Sequence, residues 1–225
     1  MIKAFVDAAQ RFEDKMNPLG YEAKNINWVI NINPKSLKYS INQEKFKKDT
    51  LQKIVPTRGD RSGNASQDNL KAALLVDNAI YALGIPEEGK KESAILVHKG
   101  FIQLLDRAYE KTSDADLKII PEFLKSKKDK KLFQSIAPKD IIAFKTNTEI
   151  FPFEKECVKN FWIDYLMEEY SESKTYCSVC GLYRPILRIF PWKIHLFRER
   201  CPISSINKES FESFGQKQNA NSPLC

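Results

Sequence analysis

Between residues 26 and 41 the chain alternates with a period of two. Ile26, Trp28, Ile30 and Ile32 are separated by Asn27, Val29 and Asn31, and Leu37, Tyr39 and Ile41 by Lys38 and Ser40. Successive side chains of a strand point to opposite faces, so this spacing gives each segment one apolar face. Between the segments stands Asn33-Pro34-Lys35-Ser36. Proline presets a turn dihedral, and Asn and Ser hydrogen-bond their own backbone, so the pair reads as a β-hairpin. A two-stranded hairpin does not hold itself together in water, and the remaining chain has to cover its apolar face.

Helices supply the cover. Ile2, Phe5, Val6, Ala9, Phe12 and Met16 recur at helical spacing until Asn17, Pro18 and Gly20 stop them. A third short apolar run, Leu51 to Val55, ends at Pro56 and opens a polar loop from Thr57 to Ser66. From Leu70 to Leu83, the residues Leu70, Ala73, Leu74, Ala79, Ile80 and Leu83 predict a buried helix closed by Gly84 and Pro86. Ser93 to Lys111 and Asp114 to Leu124 predict two more, the second capped at Ser113 or Asp114. Lys125 to Lys131 reads as a solvated turn, Asp140 to Asn147 as a strand, and Phe153 to Tyr170 as an amphipathic helix. The expected class is α+β: an N-terminal helix and β-hairpin, central helices, and a small C-terminal module with short strands and a helix. The expected division is 1–170 and 171–225, or one continuous domain.

A chain of 225 residues with 42% hydrophobic content can bury a core. Its net charge of +7 favours a polyanionic partner. Five cysteines, an odd number, in a lysine-rich chain whose first residues carry no apolar leader point to a reducing cytoplasm. No apolar stretch approaches the roughly 20 residues that span a bilayer, so no membrane partner is expected.

The common hydrolase and nucleotide-binding motifs are absent. The two histidines are His98, which falls within a predicted helix and reads as structural, and His195. Acidic pairs such as Asp114/Asp116 read as caps and solvated faces, and the chain is expected not to be an enzyme. Cys177-x-x-Cys180-Gly181 has the spacing with which two thiolates grip one zinc ion, and His195 and Cys201 are the residues that could complete the set. The same thiols serve equally as buried apolar groups. Otherwise no cofactor is expected.

Two polar, basic loops suit nucleic acid. Arg58, Arg61, Ser62, Gly63 and Asn64 lead towards Lys71, while Arg198 and Arg200 precede Ser204, Ser205, Asn207 and Lys208. Guanidinium and ammonium groups contact phosphates, and amides read base edges. Trp192, Phe197, Phe211 and Phe214 could stack on bases, although Phe211 and Phe214, three apart, would share one helix face and fit a core.

Ser205-Ile206-Asn207, then Phe211-Glu212-Ser213-Phe214-Gly215-Gln216-Lys217-Gln218, then Asn219-Ala220-Asn221-Ser222-Pro223 resemble the signature of the large subunit of type I-C CRISPR surveillance complexes, the Csd family. Cys177, Gly181, Pro185, Ile186, Arg188 and Pro191 resemble a second family stretch, and Arg61-Ser62-Gly63 with Leu74 to Gly84 a third. The resemblance implies a non-catalytic subunit of a crRNA-containing ribonucleoprotein. Such a subunit binds target double-stranded DNA, reads the protospacer-adjacent motif, assists strand opening and works with other CRISPR-associated subunits and a recruited helicase-nuclease. It carries the DNA-facing role onto Arg61, Ser62, Asn64, Lys71, Asn78, Ser204, Ser205, Asn207 and Lys208. Ala72 and Ala73 stand where the family often has Pro-Asn, Ile206 replaces a phenylalanine and Cys180 a threonine. Family members run longer, so the resemblance covers their N-terminal part and implies a truncated or split large subunit. Two other readings fit the same residues: a degenerate fragment acting only in protein–protein interaction, and an independent zinc-knuckle nucleic-acid-binding protein.

Overall fold

The computed structural model describes residues 17–36, 38–43, 51–58, 70–126, 133–146, 149–170, 174–186, 193–196 and 199–202, with residues 4, 7 and 11. The helix predicted over Ile2 to Met16 and the lysine-rich turn at 125–131 lie almost entirely outside them. The class is α+β, as the sequence predicts. The chain forms two compact units, Leu19–Trp162 on the one hand and Met1–Pro18 with Ile163–Cys225 on the other.

The larger unit is built on the predicted hairpin, β2 (Trp28–Ile32) and β3 (Tyr39–Gln43), preceded by β1 (Tyr21–Asn25). Antiparallel register sets Ile30 opposite Ile41 and Ile32 opposite Tyr39, so the alternating apolar residues share one face. On its other edge β2 pairs in parallel with β6 (Ile141–Lys145), Ile30 facing Phe144. The short β5 (Val76–Asn78) closes the four-stranded order β3-β2-β6-β5. The start of β6 is pinned by polar contacts: Asn27 Oδ1 accepts from the Ile141 N–H at 2.7 Å, and Asp140 Oδ2 accepts from the Trp28 indole at 2.7 Å. A separate two-stranded sheet pairs β1 with β4 (Gln52–Pro56), Tyr21 opposite Pro56.

Helices α1 (Ala79–Leu83), α2 (Lys91–Thr112) and α3 (Ala115–Lys125) follow β5. Every third or fourth residue of α2, including Ala94, Val97, Phe101, Leu104, Leu105 and Ala108, is buried, which is the stripe an amphipathic helix lays on a core. The Phe101 ring lies 6.1 Å from that of Phe144, and Tyr39 meets Phe123 of α3 edge-on at 4.8 Å, so α2 and α3 cover the apolar face of the sheet. Asp114 caps α3, its Oδ1 accepting from the Asp116 N–H at 3.0 Å. After a 3-10 turn at Pro152–Glu154 comes α4 (Glu156–Tyr170), whose Trp162 indole donates to the Gly20 carbonyl at 2.9 Å.

The single helix predicted over Leu70 to Leu83 is not formed. Residues 70–75 are irregular, 76–78 join the sheet, and only Ala79–Leu83 are helical. Two local features break the helix. Leu75 takes a left-handed backbone, φ +64°, and the buried Asp77 carboxylate accepts the Ala73 N–H at 2.8 Å and the Asn78 N–H at 2.7 Å, diverting the backbone from a helical ladder. Periodicity alone does not separate a buried helix from a buried loop and strand in a short, mostly apolar run.

In the smaller unit, β7 (Lys174–Tyr176) pairs with β8 (Tyr183–Pro185), and β9 (Lys193–Leu196) with β10 (Glu199–Pro202). These are the short strands expected of a C-terminal module; the helix expected around Phe211 and Phe214 lies outside the described residues.

Candidate nucleic-acid interface

The first polar loop leaves β4 at Thr57. The Thr57 N–H donates to the Gly20 carbonyl at 2.8 Å, and its hydroxyl accepts from Lys24 Nζ at 2.8 Å while donating to Glu22 Oε2 at 3.2 Å. The hydroxyl thus sits between opposite charges carried by β1. Arg58 follows and is only 6% exposed. The sequence places Arg58 among phosphate contacts; burial corrects that, since a guanidinium withdrawn from solvent is engaged by the protein. Arg61, Ser62 and Asn64 lie outside the described residues.

The far end of the loop returns at Leu70, which packs directly against Gly100 of α2. Lys71 is half-buried beside it, and the Asp77 carboxylate then fixes the backbone from Ala73 to Asn78. Asn78 caps α1, its Oδ1 accepting from the Tyr81 N–H at 3.2 Å. Of the DNA-facing set, Lys71 and Asn78 are the members the structure places; Ser204, Ser205, Asn207 and Lys208 also lie outside the described residues.

The cysteine pair closes the β7–β8 hairpin. Cys177 N–H donates to the Leu182 carbonyl at 3.0 Å, Gly181 N–H to the Cys177 carbonyl at 2.9 Å, and Val179 N–H to Cys177 Sγ at 3.4 Å. Gly181, at φ +71°, takes a conformation glycine adopts without strain. Cys177 is buried and Cys180 exposed. A strand, not a helix, follows the pair, which sets this turn apart from a thioredoxin-like redox site. In the β9–β10 ladder His195 stands opposite Arg200 and Cys201 opposite Ile194, so the two further candidate ligands are not cross-strand partners. Among the described residues no three His, Cys, Asp or Glu side chains converge on a metal-sized site.

The other titratable clusters are structural. His98 Nδ1 lies 2.8 Å from the Tyr81 carbonyl, and its ring packs under Gly84. Lys155 Nζ stands 2.7 Å from both Asp114 Oδ2 and Asp116 Oδ2, and the Thr146 hydroxyl donates to Asp116 Oδ1. The Asp116 Oδ2 contact falls short of a well-directed hydrogen bond, so charge rather than geometry holds it. Burial works against the Lys155 ammonium, but the hydrogen bond it donates to Asp114 and the negative charges of Asp114 and Asp116 outweigh it and raise the pKa. A lysine therefore fills the space between these two carboxylates.

Sequence reasoning missed one feature. Tyr176 and Tyr183 are direct cross-strand partners in β7–β8, their rings edge-to-face at 5.3 Å and 68°. They are 67% and 61% exposed. The signal in sequence is two tyrosines flanking the six-residue turn Cys177 to Leu182. The aromatics the sequence singles out as stackers, Trp192, Phe197, Phe211 and Phe214, lie outside the described residues.

These observations describe a basic α+β protein whose first polar loop is held at both ends, and a family of CRISPR-associated proteins has a model that matches it from residue 5 to residue 225. The chain belongs to that family, CRISPR-associated protein (Cas_Csd1). No curated protein matches the chain.

Proposed function

We propose that this chain binds target double-stranded DNA as the non-catalytic large subunit of a type I-C, crRNA-guided surveillance complex, reading the protospacer-adjacent motif and assisting strand opening in antiviral defence. The observation that carries this reading is the family match over residues 5–225. The net charge of +7 supports it, because a basic protein gains affinity for DNA from counterion release. The anchored ends of the first loop support it too: Thr57 between Lys24 and Glu22 at one end, Leu70 against Gly100 at the other. Loops held at both ends lose less freedom when they close on a ligand.

In this reading Arg61, Ser62, Asn64, Lys71 and Asn78 serve one contact region and Ser204, Ser205, Asn207 and Lys208 a second, with a crRNA-containing complex, its other CRISPR-associated subunits and a recruited helicase-nuclease as partners. No described helix is long and apolar enough to cross a membrane, in keeping with a place in the cytoplasm. The reading includes no cofactor. Zinc held by Cys177, Cys180, His195 and Cys201 is the rival that a metal assay of the purified chain decides.

The deciding experiment reconstitutes the chain with its neighbouring complex subunits and guide RNA, then measures binding of target duplexes carrying a randomised flank. Enrichment of one short flank that disappears when the chain is omitted supports motif reading. Equal binding of all flanks, or failure to join the complex, overturns it in favour of a degenerate, protein-binding fragment.

A further inference from the structure

We propose that the Tyr176–Tyr183 pair on the β7–β8 hairpin is a stacking platform for an unpaired nucleotide of single-stranded DNA. Two large aromatic rings, each more than half exposed and in contact with one another, form a contiguous apolar patch of the kind that marks an interaction site. The pair is preorganised. Cross-strand register and the edge-to-face contact fix one ring against the other. The turn behind them is tied by the Gly181 and Cys177 backbone hydrogen bonds and by the buried Cys177 side chain. Little side-chain freedom remains to be lost on binding.

The charge around the rings selects the occupant. Residues 174–185 contain Lys174 and Arg184 and no carboxylate, and both cations are exposed. Strand alternation puts Lys174, two residues before Tyr176, on the tyrosine face of the hairpin. Aromatic faces beside a cation form the arrangement that binds single strands without reading sequence: the ring stacks on a base and the cation meets its phosphate. Bases in an intact duplex already stack on each other and offer no free face. The occupant is therefore an unpaired strand, and the choice of DNA rests on the proposed function, in which strand opening creates unpaired DNA.

The test measures binding of a fluorescent oligo-dT, the RNA oligonucleotide of matching length, and a duplex by the full chain. The variants are the double change Tyr176→Ala with Tyr183→Ala, and the double change Tyr176→Phe with Tyr183→Phe. Both tyrosines being exposed, thermal melting should be nearly unchanged and is checked first. The alanine pair is expected to weaken oligo-dT binding by about tenfold or more, the phenylalanine pair by about twofold at most, and neither to change duplex affinity. Four results overturn the proposal: no oligo-dT binding by the unaltered chain, equal binding by the alanine pair, parallel loss on the duplex, or a clear preference for RNA. If instead the alanine pair binds oligo-dT normally but no longer joins the reconstituted complex, the surface is a protein contact. Flank selection is scored separately in the assembled complex, so motif reading and this platform can fail independently.

Discussion

Leu70 lies so close over Gly100 that a Cβ built on the glycine would stand 2.7 Å from the leucine's own Cβ. The contact joins the end of the first polar loop to the middle of α2. A Cβ is bonded to the backbone and cannot swing away as a flexible side-chain tip can, so Gly100→Ala must push the loop or the helix. Overpacking costs about 1–3 kcal/mol, against about 1 kcal/mol gained in helix propensity. Urea unfolding of the variant is expected to show a net loss, and weaker duplex binding to accompany it. A gain in stability, as at an ordinary helical glycine, would disprove the packing argument.

Asp77 holds the Ala73 and Asn78 N–H groups from a buried position. Asp77→Asn keeps the shape but turns one acceptor into a donor facing a donor. Hydrogen bonds to charged groups contribute about 1.5–3 kcal/mol each, so a loss of about 2–3 kcal/mol is expected in denaturant titrations. Because Leu75, with its left-handed backbone, lies between the two bonded N–H groups, hydrogen exchange should accelerate in residues 72–78 before it does in α2.

Tyr21 is buried beside β4, and burial first, then the Glu156 carboxylate, raises its pKa well above the ordinary 10.0. A folded phenol that keeps its proton while the unfolded one loses it makes stability fall once pH passes about 10. Lys155, also raised in the fold, adds in the same direction above 10.5: its contribution is complete below that pH and is lost as the folded ammonium titrates. Tyr21→Phe is therefore expected to flatten the decline between about pH 10 and 11, measured as urea midpoints across that range. An unchanged profile would remove Tyr21 from the account.

On the proposed function Asn207 would read bases and Lys208 would meet phosphates. Asn207→Ala should reduce discrimination between flanking sequences by about 1–3 kcal/mol with little change in binding to unrelated DNA. Lys208→Ala should weaken all duplexes alike and lower the salt slope by about 1. Titrations of two duplexes at several salt concentrations separate these outcomes. The same response from both variants would refute the division of roles.

The hairpin β2–β3 was legible in sequence because its side chains alternate and its turn carries Pro34 and Asn33. Helix α2 was legible from its apolar stripe, and α3 from the Asp114 cap. Strand β1 was not: Tyr21 is the one buried residue of Tyr-Glu-Ala-Lys-Asn, too little for a pattern, and its conformation comes from pairing with β4. Strand β5 was hidden because the apolar residues on either side of Asp77 and Asn78 also fit a helical spacing, and its course is set by one carboxylate, Asp77. The polar composition of the first loop was plain, but the burial of Arg58 depends on tertiary neighbours that spacing does not report. The tyrosine pair needed the register of a hairpin only three residues wide on each side.

Strand β2 is interior to its sheet, yet one of its two partners, β6, comes much later in the chain: Asn27, just before β2, bonds to Ile141, 114 residues on. On the ribosome the hairpin can form early, but its open edge must wait through the synthesis of α1, α2 and α3 before the parallel strand arrives to cover it. The nascent chain thus carries an unpaired strand edge through much of its production. Over that interval the exposed edge offers a template on which another chain can pair, a hazard the finished sheet no longer carries on that side of β2.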